Sequence, residues 1–148
     1  MLGIDDADSA AIADIIANQA DAWNRGDADG YGERALPDIV FTDVIGGHYR
    51  GRDAAVALWR GIFEGLYKGT KLEQRLVAMV LVTPDVVIDE TVNKLTDYQQ
   101  APIGMPVIAD ALWSRMQQVM VRKADGWWVS SGHNVPVHAV AAGMLRLD

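Results

Sequence analysis

Two side chains in this sequence combine the right chemistry with the right spacing. The segment Ile39–Ile45 is rich in β-branched and aromatic residues and is bounded by Gly46 and Gly47, so it predicts a strand. Strand alternation points Ile39, Phe41 and Asp43 the same way, which places a carboxylate after two apolar residues. In apolar surroundings a carboxylic acid has a raised pKa, and its anion then serves as a base near neutral pH. In the last predicted strand Trp127, Val129, Ser131 and His133 share one face, which brings an imidazole to an aromatic surface. An Asp43–His133 pair would be a carboxylate orienting an imidazole for proton transfer. Both residues also have purely structural readings: Asp43 as a cap on the glycine turn, His133 as a hydrogen-bonded core histidine.

A third residue is an amide. Gln19 lies on the stripe formed by Ile12, Ile15, Ile16 and Trp23, so it needs either a partner or a ligand, or it reaches solvent from the stripe's edge. The five tryptophans, Trp23, Trp59, Trp113, Trp127 and Trp128, sit at helical or strand spacing and read more readily as core than as a ligand cage. His48 falls in a glycine-rich loop, and His138 would face away from His133, so no two-histidine metal clamp is expected. There is no GxSxG elbow, phosphate loop, HExxH motif or EF-hand.

These side chains must be positioned by a short list of elements. A first helix, capped by Ser9, runs to Gly26, and Asp27 caps a second, shorter helix through Tyr31. After Gly51 a third helix puts Val56, Trp59, Phe63 and Leu66 on one face, with Gly61 and Gly65 attributed to close helix packing. Strands follow over Leu72–Val82 and Val86–Asp97, joined at Pro84 and Asp85. The stretch Tyr98–Ile108 is a loop long enough to cover a site, and strands Ala109–Arg122 and Trp127–Val137 complete the chain. Helices first and antiparallel strands after make this α+β, not a parallel nucleotide-binding sheet.

With 148 residues the chain fits one domain, 1–148. Its 13 Lys and Arg against 20 Asp and Glu give a net charge of −7, which repels phosphate backbones and anionic membranes, so neither nucleic acid nor membrane is an expected partner. With no cysteine there is no disulfide, thiolate metal site or cysteine nucleophile. The acidic start MLGIDDADSAA is unlike a secretory signal, and the longest apolar run, Leu76–Val82, is too short to span a bilayer; a cytoplasmic location is expected.

Three motifs, AWNRGDADGY, PDIVFTDVIGGHYRGRD and ADGWWVSSGHN, make the chain resemble the SgcJ/EcaC branch of the SnoaL-like proteins, in the nuclear transport factor 2-like superfamily, over about Ile12 to Val137. The resemblance implies a cone of three helices on a curved mixed or antiparallel sheet, a hydrophobic cavity at the wide end, and a homodimer through the sheet. It also implies activities ranging from isomerases and cyclases to non-catalytic association domains, so the residues must choose. The general base of ketosteroid isomerases matches Asp43, but their tyrosine donor falls at Gln19 and their aspartic acid donor near Gln117 or Gln118, so that oxyanion hole is not reproduced. Epoxide hydrolases of the fold need Asp, Arg and Asp; Asp43 and Arg115 supply two, and the sequence does not place a second acid opposite them. SnoaL-type cyclases use an acid and a histidine, roles that Asp43 and His133 can fill.

Three readings follow. The leading one is a pocket for a small apolar, carbonyl-bearing or polyketide-like compound, with cofactor-free and metal-free acid/base isomerase, cyclase or lyase chemistry by Asp43 and His133. Gln19, Trp23, Tyr31, Phe41, Trp59, Phe63 and Arg115 are its expected substrate-binding residues. The second is binding without chemistry. The third is a dimerising module with an incidental cavity.

Overall fold

The computed structural model describes residues 3–102 and 104–144; Ile103 of the expected loop and the chain's extreme ends lie outside the described residues. Helix α1 (Asp6–Asn24) starts a turn earlier than expected, because Asp5 caps it by accepting from the Asp8 N–H at 2.8 Å. Ser9 is therefore inside the helix. Asp6 and Asp8 in its first turn suit the positive end of the helix dipole. Ile12, Ile15, Ile16, Gln19 and Ala22 are buried, as the stripe requires. Asp27 caps α2 (Ala28–Tyr31) through the Gly30 N–H, as expected. Helix α3 (Arg52–Glu64) buries Ala55, Val56, Trp59 and Phe63. Its glycines do not serve close packing: a methyl group at Gly61 would meet nothing within 4 Å, and Gly65 ends the helix. No helix among the described residues is long and apolar enough to cross a membrane.

The strands are β1 (Ala35–Thr42), β2 (His48–Arg50), β3 (Lys71–Thr83), β4 (Val86–Thr96), β5 (Val107–Ile108), β6 (Ala111–Lys123) and β7 (Gly126–Pro136). They form one seven-stranded sheet in the order β2-β1-β7-β6-β4-β3, with β5 beside the start of β6. The pair β1 and β7 is parallel and the others are antiparallel, so the three helices pack on a mixed, open sheet. Strand β1 begins at Ala35 and stops at Thr42, which leaves Asp43 in the turn beyond it. Strand β2 places His48 opposite Thr42, not in a loop. Ala109 and Asp110 have φ of 49° and 60° and make the tight turn between β5 and β6, where a strand start was expected.

A bulge in β7 decides which side chains look inward. Met120 pairs with Val129 but Val119 pairs with Ser131, so Ser130 is an extra residue. Before the bulge Trp127 and Val129 are buried; after it the buried or half-buried positions are Gly132 and Asn134, and His133 is exposed. Strict alternation through Trp127–His133 therefore fails by one residue, and His133 joins the outer face beside Thr42 of β1. Near the turn between β6 and β7, Arg122 binds Asp8 through two N–H groups at 2.8 and 2.6 Å, and the Trp127 indole donates to Asp8 at 3.0 Å. The guanidinium, then the indole, hold the Asp8 carboxyl below its usual pKa. Asn24 brackets the edge strand β3, donating to the Leu72 carbonyl and accepting its N–H.

Gly132 allows Phe41 to lie against β7, since a β-carbon there would stand 2.9 Å from Phe41 Cδ2. Gly132→Ala is expected to displace that ring and destabilise the protein by about 1–3 kcal/mol, read as a lower urea midpoint at unchanged slope; an unchanged midpoint would show that Phe41 is free to move.

Candidate functional site

Between the helices and the inner face of the sheet lies a cavity of about 130 Å³. Trp23 of α1, Tyr31 of α2, Trp59 of α3 and Phe41 of β1 form its wall, in edge-to-face contacts from one element to the next: Trp23 to Tyr31 at 5.6 Å, Tyr31 to Trp59 at 4.7 Å, Phe41 to Trp59 at 5.3 Å. Tyr67, Pro102 and Met105 border it from the connecting segments. Gln74, Asn93 and Ser114, in register on β3, β4 and β6, put a polar row across its floor, and Asn134 lines it from β7. A volume of this order holds a single aromatic ring.

Of the expected site residues, Asp43, Trp23, Tyr31, Phe41 and Trp59 line this cavity. Phe63 packs behind the wall, 4.8 Å from Trp23. Gln19 lies deeper, beside a void of about 10 Å³ with Gln118, Ile39 and Val129. Arg115 and His133 are corrections. Arg115 alternates outward on β6 and binds Glu90 at 2.8 Å on the opposite face. His133 is exposed because of the Ser130 bulge, so Asp43 and His133 do not meet across the cavity, and Asn134 takes the inward place.

Asp43 caps the glycine turn and also lines the cavity. One carboxylate oxygen accepts the backbone N–H groups of Gly47 at 2.7 Å and Ile45 at 3.1 Å, which caps the turn; the other takes the Tyr49 hydroxyl at 3.3 Å. Gly47 is required here, since a β-carbon would stand 2.6 Å from the carboxylate. The half-buried carboxylate also faces the cavity mouth with Val44 and Ile45. Burial holds the Tyr31 phenol protonated, far above its ordinary range. Burial and the charge of Asp43 push Tyr67 up to about 12. The cavity thus sets a carboxylate near phenols that keep their protons, which is the polarity needed to accept a proton and to steady a developing oxyanion. Among the described residues no three His, Cys, Asp or Glu side chains converge as metal ligands would.

Sequence reasoning missed Asp89. It is fully buried on the inner face of β4, in register with Met79 and Gln118. Gln118 donates to its Oδ1 at 3.2 Å and its Oδ2 has no partner. Burial lifts its pKa to about 7 against the lowering effect of that hydrogen bond. The Gln19 amide reaches Gln118 at 2.9 Å and accepts from Gln74 at 2.8 Å, so the buried amide predicted on α1 finds its partners in the sheet. A glutamine on an apolar helix stripe was the available signal: it demanded a polar group on the facing strands.

The chain matches the family model of the SnoaL-like domain over residues 16–130, and it belongs to that family. Its fold is shared by an uncharacterised protein with a cystatin-like fold from Caulobacter vibrioides, at 25% identity and a TM-score of 0.80, covering 94% of this chain and 96% of that one. A protein assigned as a scytalone dehydratase from Novosphingobium aromaticivorans aligns at 14% identity and TM-score 0.73, over 89% and 85% of the two chains. A ketosteroid isomerase-like protein from Erwinia carotovora atroseptica aligns at 14% identity and TM-score 0.71, over 90% and 99%. No curated protein matches the chain significantly.

Asp89 makes stability depend on pH in a definite direction. Its folded-state pKa of about 7 lies above the ordinary 3.8, so its stabilising effect is full below about pH 4, falls as pH rises toward 7, and is constant above. That gap corresponds to about 4 kcal/mol. Asp89→Asn should therefore be more stable than the parent at pH 8 but not at pH 4, by urea unfolding; the same difference at both values would show that the carboxyl ionises freely in the fold.

Proposed function

We propose that this protein binds a small, largely apolar, carbonyl-bearing compound in the aromatic cavity and that Asp43 exchanges a proton with it, in isomerase, cyclase or lyase chemistry. The observation that carries this reading is one cavity lined by both the Asp43 carboxylate and the protonated phenol of Tyr31. Tyr31 makes no hydrogen bond among the described residues, so its hydroxyl is available to a ligand oxygen. His133 has no part in this reading, and Tyr31 takes the place of the donor sought at Gln19. The neighbours assigned as a scytalone dehydratase and as ketosteroid isomerase-like support a ligand-binding use of the fold, and the three sequence motifs support the SgcJ/EcaC branch.

Binding without chemistry is the second reading, favoured by the two backbone N–H groups that engage Asp43 as a turn cap. Asp43→Asn separates the two, because asparagine caps the same turn while losing the base. With 1-indanone in D₂O, proton exchange beside the carbonyl should be accelerated by the parent and fall by about 100-fold or more in the variant, by NMR, with stability unchanged. Equal exchange in both proteins would leave a binding protein.

The dimer through the sheet is proposed on the outer face. Val80, Ile88 and Val119 lie in register across β3, β4 and β6, and Val80 is 56% exposed. A two-fold axis near the middle strand would lay this row on its own copy. Val119→Lys should halve the mass measured by light scattering; an unchanged mass would place the contact elsewhere or show that there is none.

A further inference from the structure

The buried polar groups under α1 form a chain with a direction. An ionised Asp89 can only accept hydrogen bonds. Gln118 therefore turns its Nε2 toward Asp89, at 3.2 Å, and its Oε1 toward Gln19. Gln19 Nε2 donates to that oxygen at 2.9 Å, which leaves Gln19 Oε1 to accept from Gln74 Nε2 at 2.8 Å. Gln118 Nε2 also lies 3.4 Å from Gln19 Oε1, a longer contact in which Gln118 donates back to Gln19 with both amides keeping the same orientation. The carboxylate thus fixes three amides in turn, and the last, Gln74, is left with its Oε1 as the free end.

The residue at that end belongs to the cavity lining. Gln74 lines it, and Gln74 Oε1 is buried without a partner. Asn134 Oδ1 is in the same condition on β7, at the far side of the same floor. The residues between them are already paired: Asn93 accepts from the Thr91 hydroxyl at 3.0 Å and donates to Ser114 Oγ at 3.3 Å. Two bare acceptors therefore flank a satisfied pair, and buried acceptors are normally matched.

We propose that the ligand of this cavity carries a hydroxyl or N–H group that donates to Gln74 Oε1, with Asn134 Oδ1 ready for a second donor, and that Asp89 sets this preference through the amide chain. The proposal rests on the pocket reading above and narrows its ligand class to carbonyl-bearing aromatic compounds that also carry a hydroxyl or N–H group. An apolar pocket without such an acceptor would favour p-xylene over p-cresol, because an unpaired hydroxyl resists burial.

The test is titration of the whole protein with p-cresol, p-xylene and p-tolualdehyde at pH 8.5, followed by backbone amide chemical shifts. The parent should bind p-cresol about tenfold more tightly than p-xylene. Gln74→Leu should reverse that order. Asp89→Asn can donate as well as accept, so the chain can run either way and p-tolualdehyde should gain on p-cresol. If the parent binds p-xylene as tightly as p-cresol, the donor preference is overturned while the pocket reading stands. If none of the three binds, both are overturned. An unchanged ranking in Asp89→Asn overturns the amide chain as its cause.

Discussion

Rings that meet edge to face cannot slide into one another's space, and the cavity exists because of this. Trp23, Tyr31, Trp59 and Phe41 come from three helices and one strand, and each braces the next. Phe63 fills the space behind them. Flexible aliphatic side chains in these positions would close over the space, as cores do when they can relax. The wall is itself held to the chain by polar contacts at its ends: the Trp23 indole donates to Thr70 at 3.0 Å, and Thr70 donates to the Tyr67 carbonyl at 2.8 Å. Gly132 admits the Phe41 ring by having no side chain of its own.

Under the wall the molecule solves a different problem. A helix that buries a glutamine and a strand that buries an aspartate each carry a desolvation cost, and Gln118 lowers both by accepting from Gln19 and donating to Asp89. The match is incomplete: oxygens of Asp89, Gln74 and Asn134 remain without partners. Incomplete satisfaction is unusual in a protein core and falls on residues of the cavity floor for Gln74 and Asn134. Affinity for a ligand and the energetic cost of the unliganded fold are therefore linked through the same atoms.

Much of the architecture was legible in the sequence because hydrophobic periodicity reports it directly. The stripe from Ile12 to Trp23, the Asp27 cap and the long hairpin at Pro84 and Asp85 each follow from local rules. The three-residue strand β2 was too short to carry a pattern, and the parallel pairing of β1 with β7 is a long-range choice that no local rule encodes. The placement of Phe41 and Asp43 at the cavity was legible because alternation ran unbroken from Ile39. It failed at His133, since one extra residue at Ser130 reverses the faces of everything after it. Asp89, Thr91 and Asn93 were missed for a related reason. An alternating polar series in a strand usually faces water, whereas here it faces the helices, and the outer face beside Val92 is covered by its own small cluster with Trp113 and Val137.

The central claim is that the aromatic-walled space is a standing cavity for a small molecule and does not close on itself. Xenon enters apolar cavities of this size, so a crystal pressurised with it tests the claim without a choice of substrate. The account predicts an anomalous peak bounded by Trp23, Phe41 and Trp59. A crystal with no peak there, and with side chains occupying that space, would contradict it.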